Sequence, residues 1–192
     1  MALGWWILFL ACCVASSQAA MGCTAITGNE PKEKLLAYLQ RDRQLLEPGC
    51  VWKIVLADVG KGDLDFGRAF VALLDYPGIE NPQRRVIVSP QREYPALGGL
   101  MLVGKSAQPL VLAALTDAES TDDARKYAAL VVFLLNRNSV LEGARELGAA
   151  YWGVTDQAIA KKVLDAVILA TRACGPEQQP ICQAEIFKRP GR

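Results

Sequence analysis

The chain has 192 residues, of which 52% are hydrophobic and 21% charged, and 21 Lys and Arg stand against 20 Asp and Glu for a net charge of +1. Near-neutrality excludes the broad basic surface that draws a protein to nucleic acid or anionic lipid. The absence of histidine removes the commonest general base and the commonest metal ligand together.

The first element is the uncharged apolar run Leu3–Ala15, LGWWILFLACCVA. It is too short for a membrane-spanning helix, which needs roughly 20 residues. It fits the h-region of a secretory signal peptide, followed by small residues in SSQAAMG that suit cleavage near residues 19–22. No Lys or Arg precedes it, a departure from the usual pattern. Residues 1–22 are therefore expected to be a signal peptide and 23–192 a single exported domain, periplasmic or secreted. A lipoprotein anchored at Cys23, after Ala20-Met21-Gly22, is the alternative, and membrane contact is expected only in that case.

Four cysteines follow the apolar run: Cys23, Cys50, Cys174 and Cys182. An even number in an exported chain predicts two disulfides. Three pairings are possible, and the local one joins Cys23 to Cys50 and Cys174 to Cys182. Loop entropy sets upper limits of about 3.5 and about 2.5 kcal/mol on these two. With no His and no C-x-x-C beyond the signal, a zinc site is not expected.

From Asn29 the apolar spacing is helical. A first helix over 30–46 places Leu35, Leu36, Leu39 and Leu46 on one side and ends at Pro48-Gly49. Residues 51–62 read equally as helix or strand. DLDFGRAFVALLD (63–75) has Phe66, Ala69, Phe70, Leu73 and Leu74 at helical spacing, with Asp63 and Asp65 placed to favour the helix dipole. Residues 76–96 hold four of the ten prolines and form an irregular insert, within which RVIVS could be extended. Four further helices are expected after Ser106, Ser120, Ser139 and Thr155, and the three serines stand where helices begin. Ser139-x-x-Glu142 matches the capping box, and Ala124, Ala128, Val131 and Leu135 form an apolar stripe. Residues 174–192 read as a disulfide-bonded tail.

Two segments echo each other. DVGKGDLDFGRAFVALLD (58–75) and LVGKSAQPLVLAALTD (102–117) share V-G-K and then A-L-x-D, offset by 44 and 42 residues. That spacing is typical of two-helix solenoid repeats. Val103-Gly104-Lys105, Ala107-Gln108-Pro109-Leu110, Ala114-Leu115, and Asp122-Asp123-Ala124-Arg125 with Ala128-Ala129 resemble the HEAT-like repeat family, in the degenerate form also seen in bilin lyase proteins. The resemblance spans about residues 50–173 and is most specific over 97–135. It implies an all-α fold, a short α-solenoid of antiparallel helix pairs of the HEAT/armadillo type. The runner-up is an α/β fold in which 51–59 and 84–89 pair in a sheet.

GLMLVGKS (99–106) satisfies the phosphate-loop pattern G-x-x-x-x-G-K-[ST]. A phosphate loop needs a preceding buried strand, but REYPALG contains Pro95 and makes none. Gly104-Lys105 is read instead as the turn between two helices, and no nucleotide is expected. Asp63-Leu64-Asp65 lacks the other ligands of a calcium loop. The four serines beyond the signal cap helices or precede proline, and Arg125 is expected to pair with Asp122-Asp123. Trp52 and Trp152 are expected to fill core or repeat seams. No catalytic residue, cofactor or metal is assigned, and the expected role is a non-catalytic scaffold that binds a protein or peptide. The alternative is an exported hydrolase working through carboxylates. In the binding reading, the second helices (63–75, 107–117, 140–151) line the concave side. Arg84, Arg85, Arg92 and Tyr94 on the insert are the candidate partner contacts.

Overall fold

The computed structural model describes residues 59–76 and 94–189, and among these every regular element is helical, with no strand. The expected signal peptide, the helix over 30–46, Cys23, Cys50, Trp52, Ser89, RVIVS and the arginines at 84, 85 and 92 lie outside the described residues.

Helix α1 spans Leu64–Val71. It starts there because Asp63 Oδ1 accepts the N–H groups of Asp65 and Phe66, both at 3.1 Å. The helix stops short of the expected 75. Leu73 and Leu74 donate to the carbonyls of Phe70 and Val71 in tighter i→i−3 bonds, which turn both leucines into the core.

Helix α2 covers Pro95–Val103, so the expected irregular insert ends two residues early. Pro95 opens it where a missing N–H costs nothing. Leu97, Leu100 and Val103, three apart, are buried. A Cβ at Gly99 would stand 2.5 Å from the Phe70 ring, so glycine there is what lets α1 and α2 come together. Gly104 ends α2 at φ +82°, in the left-handed region that favours glycine. A 3₁₀ turn (Gly104–Ala107) leads directly into α3, Gln108–Thr116. The expected Ser106 cap does not form, because Ser106 lies inside that turn and the helix continues from it.

The Ser120 cap also differs from expectation, whereas Ser139 does stand at a helix start. Helix α4, Asp122–Leu135, is capped by Thr121, whose hydroxyl accepts from the Ala124 N–H at 3.1 Å. Ser120 stands one residue too early. Helix α6, Gln157–Ala170, is capped by Asp156: Oδ1 accepts from Ala158 at 2.8 Å and from Ile159 at 3.0 Å. A carboxylate there also meets the positive end of the helix dipole. Helix α5, Val140–Gly153, does have Ser139 at its N-cap, but no capping box. The Ser139 N–H that Glu142 would satisfy already donates to the Asn136 carbonyl at 2.8 Å. Glu142 instead reaches Lys105 Nζ at 3.1 Å.

Helix α4 is the hub. It packs against α2, α3, α5 and α6, and buries Tyr127, Ala128, Ala129, Val131, Val132 and Phe133, a wider face than the one expected stripe. Over residues 127–133 burial runs nearly all round the helix, as in a helix enclosed by others. A 3₁₀ turn, Thr171–Cys174, extends α6, and the supposed tail contains helix α7, Gln179–Phe187. The Cys174–Cys182 disulfide ties the two together. Helix α7 lies across α5 at a very close approach: a Cβ on Gly148 would be 2.7 Å from the Ile186 carbonyl oxygen. Trp152 Nε1 donates to that same oxygen at 3.1 Å, and Arg145 Nε meets Glu185 Oε1 at 2.7 Å. The guanidinium bond, aided by Lys188, holds the Glu185 carboxyl below its ordinary pKa.

Candidate binding groove

Of the residues singled out by the sequence, those that are described do not gather in one place. Gly99–Ser106 is the end of α2 and the start of a 3₁₀ turn, not a loop after a strand. Gly104 N–H is used by the Leu100 carbonyl, and Lys105 is paired with Glu142. The phosphate-loop match is therefore the junction between α2 and α3. Tyr94, a candidate partner contact, is half-buried with its ring 3.9 Å from that of Tyr127.

Arg125 was expected to pair with Asp122-Asp123, and the pairing is a minor part of its role. The side chain is fully buried, and its guanidinium donates to the carbonyls of Asp117, Ala118 and Ser120, with Asp122 at 3.6 Å. Asp123 pairs with Lys126 instead. Arg125 thereby fixes the α3–α4 loop from beneath. Trp152, expected in a seam, lies over the end of α7, 38% exposed, with Arg189 5.7 Å from its ring.

The stretch Ala96–Thr116 is long and apolar enough to cross a membrane by length and composition. Gly104 breaks it into two nine-residue helices, each about 14 Å long. Neither reaches across a hydrocarbon core of roughly 30 Å.

The last turns of α3 and α5 flank an open groove of about 560 Å³, closed at one end by residues 154–156 and the start of α6. Small side chains make the space: Ala113 on α3, and Ala149, Ala150 and Gly153 on α5. A Cβ on Gly153 would meet no atom within 4 Å. Leu112, Val154 and Ile159 supply apolar walls, and Thr116 bonds back to the carbonyls of Leu112 and Ala113. Among the described residues, Glu146 and Asp156 are the charged ones in the lining, and none there is a cation. Asp156 is engaged in capping α6, whereas half-buried Glu146 has no partner among the described residues. A smaller cleft of about 370 Å³ lies at the start of α5, bounded by Arg137, Ser139, Gln178 and Ile181.

The larger groove has shape and charge with which to hold a ligand. Among the described residues, its lining places no base beside a nucleophile. Among the described residues no group of three His, Cys, Asp or Glu side chains could hold a metal ion. The sequence reading did not single out Glu146, Gly153 or Asp156. A signal was present in the small residues of GAAYWG at the end of the α5 pattern, but their openness depends on α3, which sequence spacing does not locate. No family model, curated protein or solved structure matches the chain.

Proposed function

We propose that this chain is a short HEAT-like α-solenoid, exported from the cytoplasm, that binds a protein or peptide partner without catalysing a reaction. The groove between α3 and α5 carries this reading. Those helices are the second members of successive pairs in the repeat resemblance, the positions that line the concave side of a solenoid.

The packing order supports the solenoid. Helices α2, α4 and α6 contact one another in sequence, as do α1, α3, α5 and α7, while the linking loops 117–121, 136–139 and 154–156 are short. Two layers built from alternate helices are what stacked helix pairs produce. The Cys174–Cys182 bond supports an oxidising compartment. Arg84, Arg85, Arg92 and Tyr94 are the proposed second contact surface.

Affinity capture from an extract of exported proteins tests the reading. We expect wild type to retain a defined protein set that Gly153→Leu and Ala113→Leu, which fill the groove, release. Retention that is indifferent to both substitutions, in folded protein, overturns the groove as the binding surface. An Arg84→Glu/Arg85→Glu/Arg92→Glu variant that captures the same set equally well shows the insert to be a linker.

A further inference from the structure

The geometry points to a basic, extended peptide as the occupant of the α3/α5 groove, with one Lys or Arg cation held by Glu146 and small apolar side chains packed over Ala113, Ala149 and Gly153. This rests on the reading of the chain as a binding module and names the chemistry of its partner.

Three observations converge. First, Glu146 has no partner among the described residues, whereas its neighbours have one. The other acid of α5, Glu142, meets Lys105, and Glu185 on α7 meets Arg145. A half-buried carboxylate has lost part of its hydration, so a cation from outside gains more there than at an open surface.

Second, the last turns of both flanking helices run along the groove, and neither carries a basic side chain. Helix C-termini carry about half a negative charge each, although Thr116 already covers two carbonyls of α3. Arg125 answers loop carbonyls beyond α3 from the core side, and Arg189 sits over Trp152 on the α7 side, so neither cation lines the groove. The positive start of α6 is offset by Asp156, the residue that caps it. The net field in the groove is therefore negative.

Third, the groove is open along one side and floored by alanine and glycine. An enclosed small ligand would bury most of its surface, which this groove does not allow. A chain that runs across it gains contact residue by residue, and only short side chains fit against Ala149 and Gly153.

Fluorescence anisotropy on the full chain tests the proposal, using a labelled peptide of alternating Lys and Ala and a control of alternating Glu and Ala. The Lys–Ala peptide should bind saturably and the Glu–Ala peptide should not. Glu146→Gln, isosteric and at the surface, should weaken binding about tenfold, in line with loss of one partly desolvated charge pair. Asp156→Asn keeps a capping oxygen and should weaken it less. Gly153→Leu should abolish binding, with an unchanged helical circular dichroism spectrum showing that the fold persists. Equal binding of the two peptides, or affinity unmoved by Glu146→Gln, overturns the proposal. If the Lys–Ala peptide fails to bind while Gly153→Leu still releases the captured proteins, the groove remains the binding surface and its preference for a basic partner is wrong.

Discussion

A methyl group added at Gly99 would have nowhere to go. Its carbon would lie 2.5–2.6 Å from three atoms of the buried Phe70 ring, so α1 and α2 would have to separate. Gly99→Ala should lose about 1–3 kcal/mol, the usual cost of overpacking a core. Gly153→Ala meets open space at the end of α5 and should lose nothing. Urea unfolding of the two variants side by side checks this, and equal losses would contradict the packing described. Legibility at this scale was uneven. Asp63 was recognised as a helix start because a capping carboxylate acts on the next few residues of its own chain. Arg125 is legible as structural and its ion pair with Asp122 forms, but its hydrogen bonds go elsewhere. Its acceptors are the backbone carbonyls of Asp117, Ala118 and Ser120, and carbonyls leave no mark in a sequence.

Helix α7 shows how an element is held. Its nine residues are too few to be stable alone in water, so its helicity depends on contacts with α5 and on the disulfide. One of those contacts is sensitive to acid. The folded-state pKa of Glu185 lies below its ordinary value through the Arg145 bond, so its contribution is fully present above the unfolded pKa and is lost as pH falls through the folded one. Below about pH 4, the ordinary glutamate range, α7 amides should exchange hydrogen faster relative to those of α4. In Glu185→Gln that acid-dependent difference should shrink; an undiminished difference would place the acid sensitivity elsewhere. Hydrogen-exchange mass spectrometry resolves the two helices. The sequence reading took 174–192 for a tail because Gly175, Pro176 and Pro180 break up the pattern. Pro180 falls in the first turn of α7, where proline is tolerated, and the covering face comes from α5. Helix existence was legible at α1, α3, α4, α5 and α6, where apolar spacing is regular. Cap position was legible at Asp63 and Ser139 but not at α4 and α6, where Ser-Thr and Thr-Asp pairs offer two adjacent candidates.

At the scale of the whole molecule, the helical class followed from local periodicity, and the placement of α4 as hub did not. A central helix differs from a peripheral one by what surrounds it, and only its broad apolarity hints at this in the sequence. The groove was legible only as far as the helices that form it. Glu146, without a partner among the described residues, and the open Gly153 emerge once α3 and α5 stand side by side.

The break at Gly104 and the lysine beside it bear on how such a chain could leave the cell. An exported chain passes the bilayer unfolded, and the translocation machinery then meets Ala96–Thr116 as a bare apolar stretch with no core to bury it. Lys105 sits next to the midpoint of that stretch, where a lysine costs about 2.5–3.5 kcal/mol on the insertion scale. In the folded protein Lys105 makes an exposed pair with Glu142, a contact worth little. Its larger effect would then fall during transit, as the charge that prevents the segment from lodging in the membrane. On the proposed export, Lys105→Leu should leave the fold nearly as stable but divert part of the chain into the bilayer, so that alkaline extraction of membranes recovers it in the pellet. A fully released Lys105→Leu chain would show that this stretch is passed regardless of its charge.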